Sequence, residues 1–437
     1  MEKISIKERI SYGLGSMGYN IANASLATFI LMFYSITYGA EMYSKIIIII
    51  TVSKIFDAFT DIPVGYIIDK TNSRWGKSRP YLLFLAIPFA IILSSIFYKP
   101  NFDSSILTYI YIIVTYNLLL LVYTGVFLSD STLNMQITND NKQRLYLNIF
   151  RVMGGFIITI IINATTNPLL RSGFWGDIAE GSRWWLTWTG YGILGAIFFI
   201  LCFAGTKERI TAPNNYNLKN IAKAVSKNYI ISLASYMFCV MKRFLMVVPS
   251  IFFCNSWFGN PALVGIFTAA FLMPMSMALM FSPLFFKFEK AKLIAYSNII
   301  YIFTFGIILV LGLVTGNIPF WLMIVCTVIN GIAMAPHEVL AFPLFIDVIE
   351  ENFNKKNVRI EGPIYSGSAI VRKIGEGLVF FMTGILTAAY VASPETNMKS
   401  TSILILFILV PIIISILTII ILRFYKNDYE LKTLKKI

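Results

Sequence analysis

The chain has 437 residues, of which 57% are hydrophobic and 13% are charged, and its mean hydropathy is +0.73. A soluble globule of this size needs more polar surface, so the composition excludes an ordinary soluble protein and predicts one embedded in lipid. The net charge of +14 does not indicate nucleic-acid binding, because the basic residues are spread over alternate loops rather than one stripe. Anionic membrane lipid is the partner that this charge suits better.

Apolar segments of about 20 residues, the length that crosses a bilayer, recur along the whole chain. Taken in order, the twelve predicted spans are 10–34, 43–69, 80–98, 104–128, 146–168, 184–204, 229–256, 262–286, 293–314, 319–349, 363–391 and 400–424. The fold class is therefore an all-α membrane protein. Most of the 36 Lys and Arg residues fall in loops on one side, which predicts that both termini are cytoplasmic.

The longest polar interruption, 205–228, separates six predicted spans from six. We expect an N-terminal six-helix bundle at 1–204, a cytoplasmic linker at 205–228, and a C-terminal six-helix bundle at 229–437 that ends in a short basic tail. Two such bundles with a central site are typical of secondary transporters.

Ionisable side chains inside the spans are the most informative feature, because each is costly in hydrocarbon. Lys54, Asp57 and Asp61 follow one another at spacings of three and four residues in the second span, so they share one helix face. Two carboxylates with one negative charge left over suit a small cation held by oxygen ligands. Alternatively, their mutual repulsion makes the pair a proton carrier, or Lys54 neutralises one aspartate and the other faces a wet vestibule.

The later spans carry further ionisable groups. We expect Arg372 to snorkel or to pair with Glu376 four residues on, and the single histidine, His337, to be either a hydrogen-bonded structural residue or a proton relay. The four cysteines have no CxxC spacing and are predicted to be buried in the spans, without a disulfide or a metal site.

The run KIFDAFTDIPVGYIIDKTNSRWGKSRPYLL at 54–83 resembles the second span and following loop of the glycoside-pentoside-hexuronide:cation symporters. These form the melibiose permease-like family of the major facilitator superfamily. The resemblance extends over nearly the whole chain, because 11–24 is similar to the family's first span, 123–144 to its fourth, and 345–378 to its tenth-to-eleventh region.

The resemblance implies the fold of that superfamily and a set of cation-site residues. Asp57 and Asp61 match the paired cation-site aspartates, and Thr124 matches a fourth-span threonine near them. Thr60 precedes Asp61, at a position expected to affect ion preference. Lys373 matches an eleventh-span lysine that links the cation and sugar sites, so it is expected to couple them, with Lys54 beside the aspartates.

The sugar side departs from the family pattern. Asn20 and Phe127 stand where galactoside-transporting members have aspartates, so a galactoside is not expected. Asn20 can still bind a hydroxyl, and Asp130 is a candidate for restoring a carboxylate one turn beyond Phe127. Arg151 matches a fifth-span arginine near the sugar pocket, which makes the predicted substrate set Asn20, Phe127, Asp130, Arg151 and Lys373.

The loop after the second span resembles the superfamily's loop motif through Asp69, Arg74, Lys77 and Arg79. In that motif a helix-end aspartate and basic residues latch one closed state, and breakable charge pairs at an interface give a bistable element. We therefore predict a gating role for these four residues.

The resemblance implies a cell-membrane symporter, not an enzyme, that moves a sugar or glycoside by alternating access with Na⁺, Li⁺ or H⁺ and without a cofactor. One alternative is a symporter of lysophospholipid or another non-sugar solute. A different class, an intramembrane prenyltransferase, stays open because DxxxD spacing on a helix can hold Mg²⁺ and a diphosphate. Neither the coupling ion nor the oligomeric state can be read from the sequence.

Overall fold

The computed structural model of the protein describes residues 4–171, 173–176, 178–210, 226–279, 281–356, 361–392 and 400–425. Regular structure in these ranges is helical, and their one extended contact is an isolated bridge between Ser73 and Gly76. The chain divides into two compact units, Met1–Asn214 and Asn215–Ile437. Most of the predicted linker, 211–225, lies outside the described residues.

The described residues of the first unit form seven α-helices. They are α1 (Ile6–Ala24), α2 (Ile30–Lys70), α3 (Arg79–Phe84), α4 (Ala86–Ile96), α5 (Ser105–Ile137), α6 (Asn141–Arg171) and α7 (Glu180–Gly205). A π-helical turn, Ser25–Phe29, joins α1 to α2. Inside α2 the backbone leaves helical geometry at Gly39, where φ is 71°, a conformation that glycine adopts without a Cβ penalty.

Local sequence and packing explain how this unit is held together. Ser5 precedes α1, and its hydroxyl caps the helix by accepting the amide N–H of Glu8. α1 packs against α6 and α7, α4 packs against α7, and α2 packs against α5. Phe97 stacks on Trp188 with 4.3 Å between ring centroids in the buried core. The pairing of α2 with α5 places the second and fourth predicted spans side by side.

The described residues of the second unit form the other α-helices. They are α8 (Lys227–Val247), α9 (Ser250–Phe258), α10 (Val264–Leu279), α11 (Ser282–Phe285), α12 (Lys290–Thr315), α13 (Phe320–Lys356), α14 (Glu361–Ala392), α15 (Thr401–Leu404) and α16 (Val410–Leu422). A π-helical turn, Ile405–Leu409, lies between α15 and α16. α13 packs against α10 and α12, and α8 packs against α13, α14 and α16.

Nine helices among the described residues are long and apolar enough to cross a membrane. They correspond to the fourth through twelfth predicted spans, while the first three fall on α1 to α4, so the total of twelve stays a prediction. The predicted seventh span, 229–256, is two helices, because Pro249 precedes α9 and supplies no backbone N–H. All four cysteines are buried, as predicted.

Gly331 of α13 shows how close the helices of the second unit approach. A Cβ built there would collide with the carbonyl oxygen of Phe271 on α10, whereas a Cβ at Gly306 of α12 would meet open space. Gly331→Ala is expected to destabilise the protein by about 1–3 kcal/mol, because the obstructing atom is backbone and cannot rotate away. Gly306→Ala is the matched control and should be neutral or stabilising. Thermal unfolding in detergent measures both, and equal midpoints would contradict the packing argument.

Candidate functional site

A threonine from α5 lies between the two aspartates of α2. The Thr124 hydroxyl oxygen is 3.3 Å from Oδ1 of Asp57 and 3.3 Å from Oδ1 of Asp61. Thr60 donates to the same Asp57 oxygen at 3.1 Å and to the Asp57 carbonyl at 2.8 Å. Asp57 and Thr124 are buried. The structure therefore brings together all four residues of the predicted cation site.

This cluster is bordered by a buried lysine and by a cleft. Lys54, one turn before Asp57, is 6% exposed. Asp57 and Thr60 line a cleft of about 440 Å³ whose other walls are mostly apolar side chains of α2 and α5. Asn117 adds an amide to that lining and donates to Ser53 at 2.9 Å. The side chains around the aspartates offer hydroxyl and carboxylate oxygens, the donors that a hard monovalent or divalent cation prefers.

The predicted substrate residues of the first unit form a second cluster around Arg151. Its Nε lies 2.9 Å from Oδ2 of Asp130 and 3.2 Å from the Tyr19 hydroxyl, and its terminal NH2 lies 2.5 Å from the Ser131 hydroxyl. Asp130 is fully buried, and its main-chain carbonyl accepts a hydrogen bond from Tyr12. Asp130 thus holds the guanidinium of Arg151, and its predicted part in substrate binding stays a prediction.

An aromatic wall stands beside this guanidinium. Tyr19 and Phe127 meet edge to face at 5.3 Å between centroids, and Tyr123 stacks on Phe127 at 5.9 Å. The Arg151 guanidinium lies 5.4 Å from the Phe127 ring centre. Asn20 is partly exposed next to the wall and donates to the Ser16 carbonyl. Sequence reasoning missed Tyr19 and Tyr123, although the spacing of Tyr123 and Phe127 by four residues around Thr124 was a usable signal.

The loop after α2 is held by a carboxylate that the sequence did not single out. Glu208 accepts hydrogen bonds from the backbone N–H groups of Lys77, Ser78 and Arg79 at 2.7–2.9 Å. The loop fits around it because Gly76 has φ of 106° and no Cβ that would strike the carboxylate.

Two of the basic side chains with a predicted gating role, Arg74 and Arg79, contact an aromatic ring or a main-chain carbonyl. Arg79 donates to the Phe203 carbonyl at 2.7 Å, and the Arg74 guanidinium lies 4.3 Å from the Trp75 ring centre. The side chain of Asp69 lies outside the described part of the chain. The gating role of the four residues stays a prediction.

Glu208→Gln is expected to lower the free energy of unfolding by about 1–3 kcal/mol, because an amide nitrogen cannot accept the backbone N–H groups that a carboxylate oxygen accepts. Glu180→Gln, at an exposed position in the first turn of α7, is the control and should leave the midpoint of thermal unfolding in place. A Glu208→Gln midpoint equal to that of the control would show that the second carboxylate oxygen and the charge of Glu208 contribute nothing to stability.

In the second unit, two arginines inside helices have carboxylate partners. Arg243 of α8 pairs with Glu338 of α13, and their side chains are 25% and 22% exposed. Arg372 and Glu376 of α14 lie 2.6 Å apart, which confirms the expected local pair. Cys239 donates to Glu338 at 3.4 Å.

A buried basic cluster lies deeper in this unit. Lys242 is 2% exposed, donates to Asn298 Oδ1 and lies 3.3 Å from Nδ1 of His337. The other ring nitrogen of His337 is 3.1 Å from both the hydroxyl and the carbonyl of Ser235. His337 is thus hydrogen-bonded within the core, one of the two expectations for it. Lys373 of α14 is also buried, at 4% exposure, and its role in coupling stays a prediction.

Two bacterial relatives match nearly the whole length of the chain. The chain is 28% identical over 98% of its length, and 93% of the other's, to "Uncharacterized symporter YnaJ" of Bacillus subtilis (strain 168). It is 25% identical over 96% of its length, and 88% of the other's, to "Isoprimeverose transporter" of Lactiplantibacillus pentosus.

Structural and family comparisons agree with these relatives. The crystal structure of the POT family transporter PepTSo superposes with a TM-score of 0.64 at 11% identity, covering 99% of both chains, a likeness that shows the major facilitator fold alone. The family model described as "MFS/sugar transport protein" matches residues 11–428. This is a family of transporters, so the alternative of an intramembrane prenyltransferase is wrong. The chain belongs to the MFS/sugar transport protein family and is a multi-pass membrane transporter of the glycoside-pentoside-hexuronide:cation symporter type.

Proposed function

We propose that the protein is a cation-coupled symporter that carries a sugar or glycoside across the membrane by alternating access. The observation that carries this proposal is the position of the Thr124 hydroxyl, 3.3 Å from both Asp57 and Asp61. Two carboxylates and a hydroxyl converging from two helices form an oxygen-rich site, the kind that binds a small hard cation. The relatives named as a symporter and as an isoprimeverose transporter support the same proposal.

Cation binding would act first on the charge of the site. Asp57 and Asp61 together carry two negative charges and Lys54 one positive charge, so one bound Na⁺, Li⁺ or H⁺ brings this helix face to neutrality. The cation would also tie α2 to α5 through Thr124. A cation that orders these helices raises substrate affinity, and by linkage substrate raises cation affinity equally; such coupling commonly amounts to about 1–3 kcal/mol.

The substrate would bind beside this cation site in the first unit. Tyr19, Tyr123 and Phe127 offer a platform for the apolar face of a sugar ring, while Arg151 and Asn20 offer hydrogen bonds to hydroxyl groups. Thr124 and Tyr123 are consecutive residues of α5, so a change in one cluster reaches the other directly. This arrangement favours a sugar over a lysophospholipid, because aromatic rings beside hydrogen-bond donors suit a ring that has an apolar face and several hydroxyl groups.

We place the protein in the cytoplasmic membrane with both termini on the cytoplasmic side, because basic residues concentrate in the loops of that side. In that orientation the loop held by Glu208 faces the cytoplasm, where a breakable contact could form part of the gate.

The decisive experiment uses purified protein in proteoliposomes. Inward gradients of Na⁺, Li⁺ and H⁺ are imposed one at a time, and uptake of a panel of radiolabelled mono- and disaccharide glycosides is followed. Accumulation above equilibrium under one gradient, and its collapse on adding the matching ionophore, is the expected result. If no gradient drives accumulation of any sugar while the same vesicles accumulate lysophospholipid, the sugar assignment is wrong.

A further inference from the structure

A lysine and a histidine meet in the core of the second unit, whereas the proposed cation site belongs to the first. Lys242 of α8 is 2% exposed and His337 of α13 is 0% exposed. Nζ of Lys242 lies 3.3 Å from Nδ1 of His337 and donates to Oδ1 of Asn298 on α12. The ring of Tyr301, also on α12, has its centre 5.3 Å from Nζ. Three helices thus meet around one buried basic group.

The hydrogen bonds of the neighbouring side chains fix which of their atoms face Lys242. Nε2 of His337 lies 3.1 Å from the carbonyl oxygen of Ser235, which can only accept, so Nε2 carries a hydrogen. Nδ1 of the same ring is then the nitrogen that accepts from Lys242, because a hydrogen on it would point at another donor. Nδ2 of Asn298 donates to the Ile294 carbonyl at 2.8 Å, so its Oδ1 is the atom that faces Lys242. Both hydrogen-bonding partners are therefore neutral acceptors.

The positive charge of Lys242 has no ion-pair partner among the residues that the structure describes. The carboxylate of Glu338 is close enough to attract Lys242, but it pairs with Arg243. A charge that is buried beside neutral groups is costly, and such a group commonly exchanges its proton instead. A second proton on the ring of His337 would place two positive charges 3.3 Å apart, which repel each other. Lys242 and His337 together therefore hold one proton that can leave.

The surroundings of Lys242 suit both of its protonation states. An ammonium group has three donors, for Oδ1 of Asn298, Nδ1 of His337 and the face of the Tyr301 ring. A neutral amine keeps two donors for the same two acceptors, so loss of the proton leaves neither acceptor unsatisfied. Hydrogen bonds from a charged donor are about twice as strong as those from a neutral one. The proton thus changes how tightly α8 is held to α12 and α13.

Other ionisable side chains surround this pair. The sequences of α10 and α16, which pack against α13 and α8, contain no titratable residue. The titratable or charged groups on the other elements around the pair are Tyr236, Cys239 and Arg243 of α8, Tyr301 of α12, Glu338 of α13, and Arg372 and Glu376 of α14. The two arginines pair with the two glutamates. Gain or loss of one proton at Lys242 therefore changes the net charge of this part of the unit.

We propose that Lys242 and His337 form a binding site for one exchangeable proton in the second unit, and that occupancy of this site changes the transport rate. The inference goes beyond the proposed symport, because it gives transport a dependence on pH through Lys242 whichever ion drives accumulation. Arg243 and Glu338 directly follow Lys242 and His337 along their helices, and their side chains are 25% and 22% exposed. They place partly exposed ionisable groups beside the buried pair.

Two substitutions fix the charge of the site. Lys242→Arg keeps a positive charge throughout, because arginine is not deprotonated in proteins, whereas Lys242→Met has no proton to exchange. Exchange of internal for external labelled glycoside is measured in proteoliposomes at equal pH on both sides, from about pH 6 to about pH 9.5. The ratio of the wild-type rate to the Lys242→Met rate should change by at least about fivefold over this range. The wild type should behave most like Lys242→Arg at the acidic end and most like Lys242→Met at the alkaline end.

The control removes a lysine that is exposed. Lys292→Met, in the same unit, should keep a constant ratio to the wild type at every pH. Ratios of the wild type to both Lys242 variants that stay constant with pH would overturn the inference. Should a Lys242 variant fail to fold, Asn298→Asp tests the same site, because a carboxylate facing Lys242 would hold its proton over the whole range. Asn298→Asp should then follow the profile expected of Lys242→Arg, and a wild-type profile would overturn the inference.

Thermal unfolding in detergent tests proton binding without a substrate or a cation gradient. The difference in midpoint between the wild type and Lys242→Met should change by about 2 °C or more over the same pH range, because only the wild type exchanges the proton. A constant difference, in protein that accumulates glycoside under a cation gradient, would overturn this inference and leave the proposed symport standing. A pH-dependent difference, in protein that accumulates no glycoside under any gradient, would support the proton site and contradict the symport.

Discussion

Replacing Asp57 or Asp61 with asparagine is expected to abolish cation-driven accumulation of substrate. Asparagine keeps the size of the side chain and one oxygen acceptor for Thr124, so the local packing and hydrogen bond can persist while the charge is lost. Two unit charges about 4 Å apart at an effective dielectric constant of about 20 interact by about 4 kcal/mol. Removing one carboxylate should therefore weaken cation binding by about a thousandfold.

The measurement separates coupling from translocation. In proteoliposomes, Asp57→Asn and Asp61→Asn should fail to accumulate substrate against its gradient. Both variants should still exchange internal for external substrate, because the groups around Arg151 are unaltered. Glu41→Gln is the matched control on the same helix, since Glu41 forms an exposed pair with Lys45, and it should accumulate substrate like the wild type.

A contrary result with either aspartate variant would test the assignment of that carboxylate to the cation site. Full accumulation by Asp61→Asn would show that the carboxylate is not a ligand of the driving ion, and the proposed cation site would be wrong. Thr124→Val offers an intermediate case, since it removes one neutral oxygen and should weaken cation affinity by less than either aspartate change. A Thr124→Val effect larger than the effect of Asp57→Asn would contradict the expectation that the carboxylates contribute more to cation affinity than the hydroxyl does.

Breaking the pair between Asp130 and Arg151 is the second change with a large expected effect. Asp130→Asn leaves a guanidinium inside the first unit without its counter-charge, and removing one partner of a buried pair typically costs about 3–5 kcal/mol. Because the Arg151 side chain is 19% exposed and keeps Tyr19 and Ser131 as partners, we expect about 3 kcal/mol, at the lower end of that range.

A double substitution distinguishes pairing from general disruption. Asp130→Leu with Arg151→Met replaces both charges by apolar groups, so thermal unfolding in detergent should show most of the lost stability recovered. Transport by this double variant should be absent, since the guanidinium beside Phe127 is gone. Glu289→Gln, which removes the partner of the exposed Lys292, should shift stability by no more than about 0.5 kcal/mol. Additive losses in the double variant would show that the two charges do not act as a pair.

The sequence predicted the helices well wherever a span was continuously apolar. The fourth through twelfth predicted spans all fall on long apolar helices, because a bilayer demands about 20 apolar residues whatever the helix packs against. Their ends were less well predicted. α5 continues to Ile137, nine residues beyond the predicted end at 128, since a helix keeps its internal hydrogen bonds after its side chains turn polar.

The candidate cation site was also largely determined by local sequence. Lys54, Asp57, Thr60 and Asp61 lie on one helix, so 3.6 residues per turn fix their common face without any knowledge of the fold. Thr124 was added to the predicted site only through the resemblance to a family. It is 63 residues from Asp61, and no periodicity links the two. The structure then supplied the two 3.3 Å distances.

Tertiary structure alone decided which of the other charged side chains form pairs. Asp130 and Arg151 come from different helices, as do Arg243 and Glu338, and only the packing of α5 with α6 and of α8 with α13 selects these partners. The sequence contained the charges but not their pairing, since partner choice depends on which helix faces meet in space. For the same reason Glu208, far along the chain from the loop that it binds, could not be found. Local spacing thus determined the shared face of the candidate cation site, and long-range packing determined which of the other charges pair with one another.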